Sequence, residues 1–142
     1  MTVKQLSIFV ENEKGSLIGI TDILRENNID IRALSLADTT SFGVLRLIVN
    51  QPQKAVEVLK ESGYTVSLTN VVCIGISDTP GELANALTVL SDNDITVEYM
   101  YAFISRKENQ AYIILRLSDI EKGTKVIAEN NIDILSEKDI CV

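Results

Sequence analysis

Residues 8–34 read IFVENEKGSLIGITDILRENNIDIRAL, and residues 74–100 read IGISDTPGELANALTVLSDNDITVEYM. Laid over one another at a shift of 66, the two stretches agree where agreement carries structure. Ile8 falls on Ile74, Val10 on Ile76, Gly15 on Gly81, Leu17 on Leu83, Leu24 on Leu90, Asn27 on Asn93, Ile29 on Ile95 and Ile31 on Val97. Downstream, Arg46 and Leu47 of FGVLRLIV fall on Arg116 and Leu117 of AYIILRLS at a shift of 70, and VLKESGYTV matches VIAENNIDI at a shift of 68. The shift changes between elements, where loop length is free to vary. The chain therefore reads as a tandem duplication, with units at 1–69 and 70–142.

Each unit reads as six elements. In the first, KQLSIFV alternates Leu6, Ile8 and Val10 on one face and predicts a strand. Leu17, Ile20, Ile23 and Leu24 form a stripe at helical spacing over Ser16 to Asn27. Asn27-Asn28 stops that helix, because asparagine tolerates the left-handed conformation of a helix terminus. IDIRALSLA and FGVLRLIV predict two strands joined by a hairpin around Asp38 to Ser41. Pro52 suits the first turn of a second helix, with Ala55, Val56 and Leu59 facing inward and Gly63 as its stop, and YTVSL closes the unit as a strand. The second unit repeats the series: VVCIGIS, a helix over Glu82 to Asp92, ITVEYMYAFIS, QAYIILRLS, a helix near Glu121 to Asn130, and IDILS. Ser118 and Glu121 have capping-box spacing, and Gly123 inside that helix weakens it by about 1 kcal/mol relative to alanine. The tail EKDICV is a candidate for an added edge strand. The order βαββαβ, twice, predicts an α+β fold: two ferredoxin-like units in tandem, each an antiparallel sheet with helices on one face.

Composition removes several classes of function. The 142 residues are 46% hydrophobic and can bury a core, but no run approaches the roughly 20 apolar residues of a membrane span. MTVKQLSIFV lacks the pattern of a secretory leader, so a cytoplasmic location is expected. Thirteen basic against twenty acidic residues give a net charge of −7, which repels nucleic acid and anionic membranes. Aromatic residues, at 5%, are too few for an RNA-stacking sheet. With no histidine, the usual general base and a common metal ligand are missing. Cys73 and Cys141 stand apart, without zinc or redox spacing, and read as reduced core or edge residues. No metal, no cofactor and no catalytic constellation is expected, and a phosphatase-like reading fails because neither first loop offers an arginine.

The loop between first strand and first helix then remains, present twice. Its glycine, Gly15 or Gly81, leaves the backbone open to close approach, and the helix behind it presents N–H groups with no intrahelical partner. One reading is a small anion site. The other is plain capping, with Asp78 or Thr79 closing the helix and glycine making the turn.

A strand, then D/N-x-x-G-x-L opening a helix, then an asparagine-rich turn into IDI or ITV within βαββαβ, resembles the ACT domain. The motif stands as NEKGSL at Asn12 to Leu17 and DTPGEL at Asp78 to Leu83, and the resemblance spans nearly the whole chain. It implies a non-enzymatic, allosteric regulatory protein that binds an amino acid. It also implies side-by-side pairing of domains, within the chain or in a homodimer, with the effector between one loop and the neighbour's second-strand region. Carried over to this sequence, the ligand-binding positions are Asn12, Glu13, Lys14, Gly15, Ser16, Leu17 and Asp30, and Asp78, Thr79, Pro80, Gly81, Glu82, Leu83 and Thr96. Backbone N–H groups near Ser16-Leu17 or Glu82-Leu83 would take a carboxylate, and Asp30 or Asp78 an ammonium. The first copy departs from the family's proline-glycine with Lys14-Gly15, which puts equal affinity of the two sites in doubt. The alternative is a regulatory or scaffolding subunit that docks an amino-acid-metabolism enzyme through its sheet edge without binding an amino acid.

Overall fold

The computed structural model describes residues 1–38, 41–103 and 105–141. Thr39 and Thr40 of the expected hairpin turn, Ile104 of the expected second-unit strand and Val142 of the tail lie outside the described residues. The chain divides into two compact units, essentially residues 4–69 and residues 70–140.

The first unit runs β1 (Val3–Glu11), α1 (Ser16–Glu26), β2 (Ile31–Asp38), β3 (Phe42–Val49) and α2 (Pro52–Glu61), and closes with the opening residues of β4 (Val66–Ser77). The rest of β4 starts the second unit, followed by α3 (Glu82–Asp92), β5 (Val97–Phe103), β6 (Gln110–Leu117), α4 (Ile120–Glu129), β7 (Asp133–Leu135) and α5 (Glu137–Ile140). Strand order is β2-β3-β1-β4 in the first unit and β5-β6-β4-β7 in the second, the βαββαβ arrangement in both. The two strands expected at YTVSL and VVCIGIS are one strand of 12 residues. Thr69-Asn70 between them offers neither glycine nor proline to turn the chain, and the Asn70 carbonyl accepts a bond from Arg116 Nη1 at 2.9 Å.

Alternation along the central strands decides which face takes the helices. Leu6, Ile8 and Val10 of β1 pack with Leu45 and Leu47 of β3 against Ile20 and Leu24 of α1 and Ala55 and Leu59 of α2. In the second unit Val72 and Ile74 meet Ile113 and Leu115 under Leu90 and Ile127. Leu17, expected in the helical stripe, is 41% exposed, whereas its counterpart Leu83 packs against the second core.

All four long helices stop in the same way. Asn28 (φ 54°), Gly63 (φ 91°), Asp94 (φ 58°) and Asn131 (φ 58°) each stand in the left-handed region just past a helix. The next residue then returns an N–H to a carbonyl five residues back: Ile29 to Leu24 (2.9 Å), Tyr64 to Leu59 (3.1 Å), Ile95 to Leu90 (3.0 Å) and Ile132 to Ile127 (3.2 Å). This is the Schellman arrangement, with an apolar residue in the position that folds back on the helix. The asparagine before three of these turns adds a side-chain bond to the carbonyl four residues back, at 2.8 Å for Asn27 and Asn93 and 2.9 Å for Asn130.

The structure corrects three local expectations. Helix α4 is capped by Asp119, whose Oδ1 accepts from the Lys122 N–H at 3.0 Å; Ser118 instead accepts the Thr96 N–H at 3.0 Å. The tail forms the short helix α5 rather than a strand, because Ser136 and Asp139 exchange hydrogen bonds across its first turn (2.8 Å from Ser136 N to Asp139 Oδ2, 3.4 Å in return). Third, the sequence match of FGVLRLIV to AYIILRLS is two residues out of step with the structure. Leu6 faces Leu47 across β1–β3, and Val72, the counterpart of Leu6, faces Leu115, so the strands correspond at a shift of 68 (Leu47 to Leu115). A slip of two preserves the inside–outside alternation of a strand, which makes the wrong register look right in sequence.

Gly123 has a packing reason beyond its effect on helix propensity. A Cβ there would lie 2.5 Å from Leu117 Cδ1, and Leu117 is buried in the second core. The helix can approach the sheet this closely only without a side chain at that position. Gly123→Val is expected to lower stability by about 1–3 kcal/mol in urea unfolding, despite removing a helix glycine.

Candidate functional site

Both strand–helix loops turn on a glycine that has no alternative. Gly15 has φ 88° and ψ −3°, Gly81 has φ 92° and ψ −13°, and each is the N-cap of its helix with no side-chain cap. The capping reading for Asp78 or Thr79 therefore does not hold: the Thr79 hydroxyl reaches Ser77 Oγ at 3.4 Å, and the Asp78 N–H donates to the Asn109 carbonyl at 2.8 Å. The first N–H of each helix makes only a long bond, Ser16 to Glu13 O at 3.3 Å and Glu82 to Thr79 O at 3.4 Å. The next N–H groups, at Leu17 and Leu83, sit where an α-helix has no internal acceptor. Each loop thus presents a positively polarised helix end behind an open glycine.

The residues expected to bind divide between the two ends of each unit. Asn12, Glu13, Ser16 and Leu17 come together with Leu36 and Asp38 around a cleft of about 120 Å³. Lys14 and Gly15 are exposed at the turn and do not line it. Asp30 stands at the other end of its unit, between α1 and β2. It pairs with Arg32 at 3.1 Å and its N–H donates to Asn50 Oδ1 at 3.0 Å. The reason is topological: α1 carries the chain about 16 Å away from the loop at 1.5 Å per residue before β2 begins. Thr96 is placed likewise, its N–H bonded to Ser118 Oγ and its carbonyl to Ser118 N at 2.9 Å. In the second unit Asp78, Thr79, Pro80 and Gly81 are exposed, Leu83 packs on the core, and Glu82 lines a cleft of about 430 Å³.

That larger cleft has a counterpart. In the first unit a cleft of about 440 Å³ is lined by Phe9, Val10, Glu11, Ser16, Phe42, Gly63, Tyr64 and Thr65. In the second, Gly75, Ile76, Ser77, Glu82, Gln110, Asn131, Ile132 and Asp133 stand in the corresponding places, with Lys107, Glu108 and Asn109 added. Sequence reading missed these walls, since each is assembled from three segments far apart in the chain. One signal was available: Phe9 falls on the strand face opposite Ile8 and Val10, an aromatic residue where a polar one is ordinary.

Among the described residues no group of three or more histidine, cysteine, aspartate or glutamate side chains is placed to hold a metal. No helix of the described residues is long and apolar enough to cross a membrane. Burial, reinforced by the charge of Asp139, pushes the Cys73 thiol up to about 12, so it stays protonated at neutral pH and is a poor nucleophile. Alkylation of the native chain at neutral pH should therefore leave Cys73 unmodified, with modification appearing only on unfolding, as peptide mass mapping would show.

A Cβ added at Gly15 or Gly81 would meet nothing within 4 Å, so the demand for glycine is conformational and not steric. Gly81→Ala is expected to cost about 1–2 kcal/mol in urea unfolding, and Gly81→Asn distinctly less, since asparagine tolerates positive φ. Equal losses would mean that space, not backbone conformation, sets the requirement.

Comparison with solved structures finds a protein of Bacteroides thetaiotaomicron at 40% identity and TM-score 0.93, covering 99% of this chain and 96% of that one. The regulatory subunits of aspartate kinase from Thermus thermophilus (ligand-free form) and Thermus flavus match at TM-score 0.63. They are 16% and 14% identical over 89% of this chain, covering 91% and 90% of theirs, and show the shared fold. No curated protein matches significantly. The family model described as an ACT domain pair matches residues 1–142, and the chain belongs to that family.

Proposed function

We propose that this chain is a non-enzymatic regulatory protein that binds an amino acid at its strand–helix loops. The observation that carries this reading is the doubled loop: a left-handed glycine opening a helix whose first N–H groups lack strong partners, at matching places in both units. A carboxylate suits such a helix end. Family membership supports the regulatory role, as does the fold shared with regulatory subunits of aspartate kinase.

Loop and neighbour would meet in a homodimer or between domains. An exposed apolar strip supports pairing: Leu17 and Ile18 on α1, and Leu34 (60% exposed) and Leu36 on β2. Leu34 and Leu36 pair with Leu47 and Leu45, so they lie on the helix-bearing face of a strand at the end of the sheet order. Such an edge invites a further strand, and pairing would bring a neighbour's second-strand region, with Asp30, toward the loop. The same strip favours the second reading, docking on an amino-acid-metabolism enzyme. We place the protein in the cytoplasm, with no role in nucleic-acid or membrane binding.

Calorimetry against the common amino acids is the test. Binding of at least one with a Kd at or below about 1 mM, roughly −4 kcal/mol, is expected. Gly81→Val or Gly15→Val should weaken it while circular dichroism stays unchanged. Absence of binding throughout, together with co-purification of a stoichiometric enzyme, would replace this reading with the docking one.

A further inference from the structure

The clefts of about 440 and 430 Å³ occupy the same place in their units but not the same chemistry. In the first, Phe9 and Phe42 face each other with ring centroids 5.5 Å apart, although they are 54% and 41% exposed. Tyr64 adds a third ring to the lining. At the corresponding positions the second unit has Gly75, Gln110 and Ile132, and among the described residues no ring lines that cleft. Gln110 lies across Gly75, its Nε2 3.0 Å from where a Cβ would stand, so the space of the first unit's aromatic wall is taken by an amide.

Size separates this cleft from the one on the β2 side of the same loop. A site for a small molecule has about 300–1,000 Å³. The β2-side cleft, at about 120 Å³, falls below that range within one unit, whereas the aromatic cleft, at about 440 Å³, falls inside it. Two solvent-exposed rings on one wall of a ligand-sized cleft suit a flat apolar group. Glu11 and Ser16, on the same lining, add a carboxylate and the weakly bonded first N–H of α1.

We propose that this cleft, between the β1–α1 loop and the α2–β4 connection, is the first unit's ligand seat, and that its ligand is an aromatic α-amino acid. The ring lies against Phe9 and Phe42, the ammonium faces Glu11 and the carboxylate faces Ser16. The second unit's cleft, polar and ringless, does not take this ligand. The inference rests on the amino-acid-binding reading, names the class of amino acid the first unit selects, and sets its seat on the α2–β4 side of the loop instead of against a neighbour's second strand.

The chain has no tryptophan, so L-tryptophan is its own fluorescent probe when excited beyond the tyrosine band. L-tryptophan and L-phenylalanine are expected to bind at least about ten-fold more tightly than L-leucine. Phe9→Ala and Phe42→Ala should each weaken them by about ten-fold, and Phe42→Tyr, which keeps the ring, should not. On the unaltered protein, L-phenylalanine should move the amide resonances of Ser16, Gly63 and Thr65 and leave those of Asn131 and Asp133 in place, a readout independent of how the variants fold. Aromatic binding no tighter than leucine, or resonance changes confined to other residues, overturns the proposal. If leucine or another amino acid still binds, the wider reading stands; if no amino acid binds, both fall.

Discussion

A helix lying on a small sheet must be entered and left within a few residues, and the left-handed backbone region makes that possible here. Gly15 and Gly81 turn the chain into α1 and α3, and Asn28, Gly63, Asp94 and Asn131 turn it out of the four long helices. Because each exit returns a hydrogen bond onto its own helix, the residue after the pivot is delivered back toward the core. Ile29 and Ile95 are buried there, and Ile132 packs on the core's margin. The entries, by contrast, lack a side-chain cap. That leaves the first N–H groups of α1 and α3 with only long bonds, Ser16 to Glu13 O and Glu82 to Thr79 O.

Much of this was legible because different physical periodicities mark strands and helices. The two-residue alternation of Leu6, Ile8 and Val10 and the stripe of Ile20 and Leu24 identify their elements without reference to anything distant. The paired asparagines mark helix ends for a local reason also, since one donates to the last turn and the next takes positive φ. What escaped were matters that alternation cannot decide. A strand displaced by two residues keeps its faces, so Leu47 aligns with Leu117 in sequence while Leu115 takes its place in the fold. Nor can alternation tell one strand of 12 residues from two short strands that meet at Thr69-Asn70.

The candidate site was legible in part for a similar reason. Loop residues adjacent in sequence are adjacent in space, so Asn12, Glu13, Ser16 and Leu17 do meet. Asp30 and Thr96 are separated from their own loops by a full helix, which leaves them free to serve only a neighbour's loop, as the resemblance implies. The cleft walls of Phe9, Phe42 and Tyr64 depend on three elements converging at one end of a unit, which only the strand order brings about.

The correspondence between the units runs at 66 through the first strand and helix and at 68 from β3 and β6 onward, so the β5–β6 hairpin is two residues longer than β2–β3. From that longer hairpin come Lys107, Glu108 and Asn109 of the second cleft, and the carbonyl that holds Asp78 at the mouth of its loop. A difference of two residues in an exposed turn disturbs neither core. The pair of extra residues at the hairpin tip adds Lys107 and Glu108 to the rim of one cleft, beside the differences already present in its walls. Two clefts can in this way differ on a shared frame without any change in the packing that holds them up.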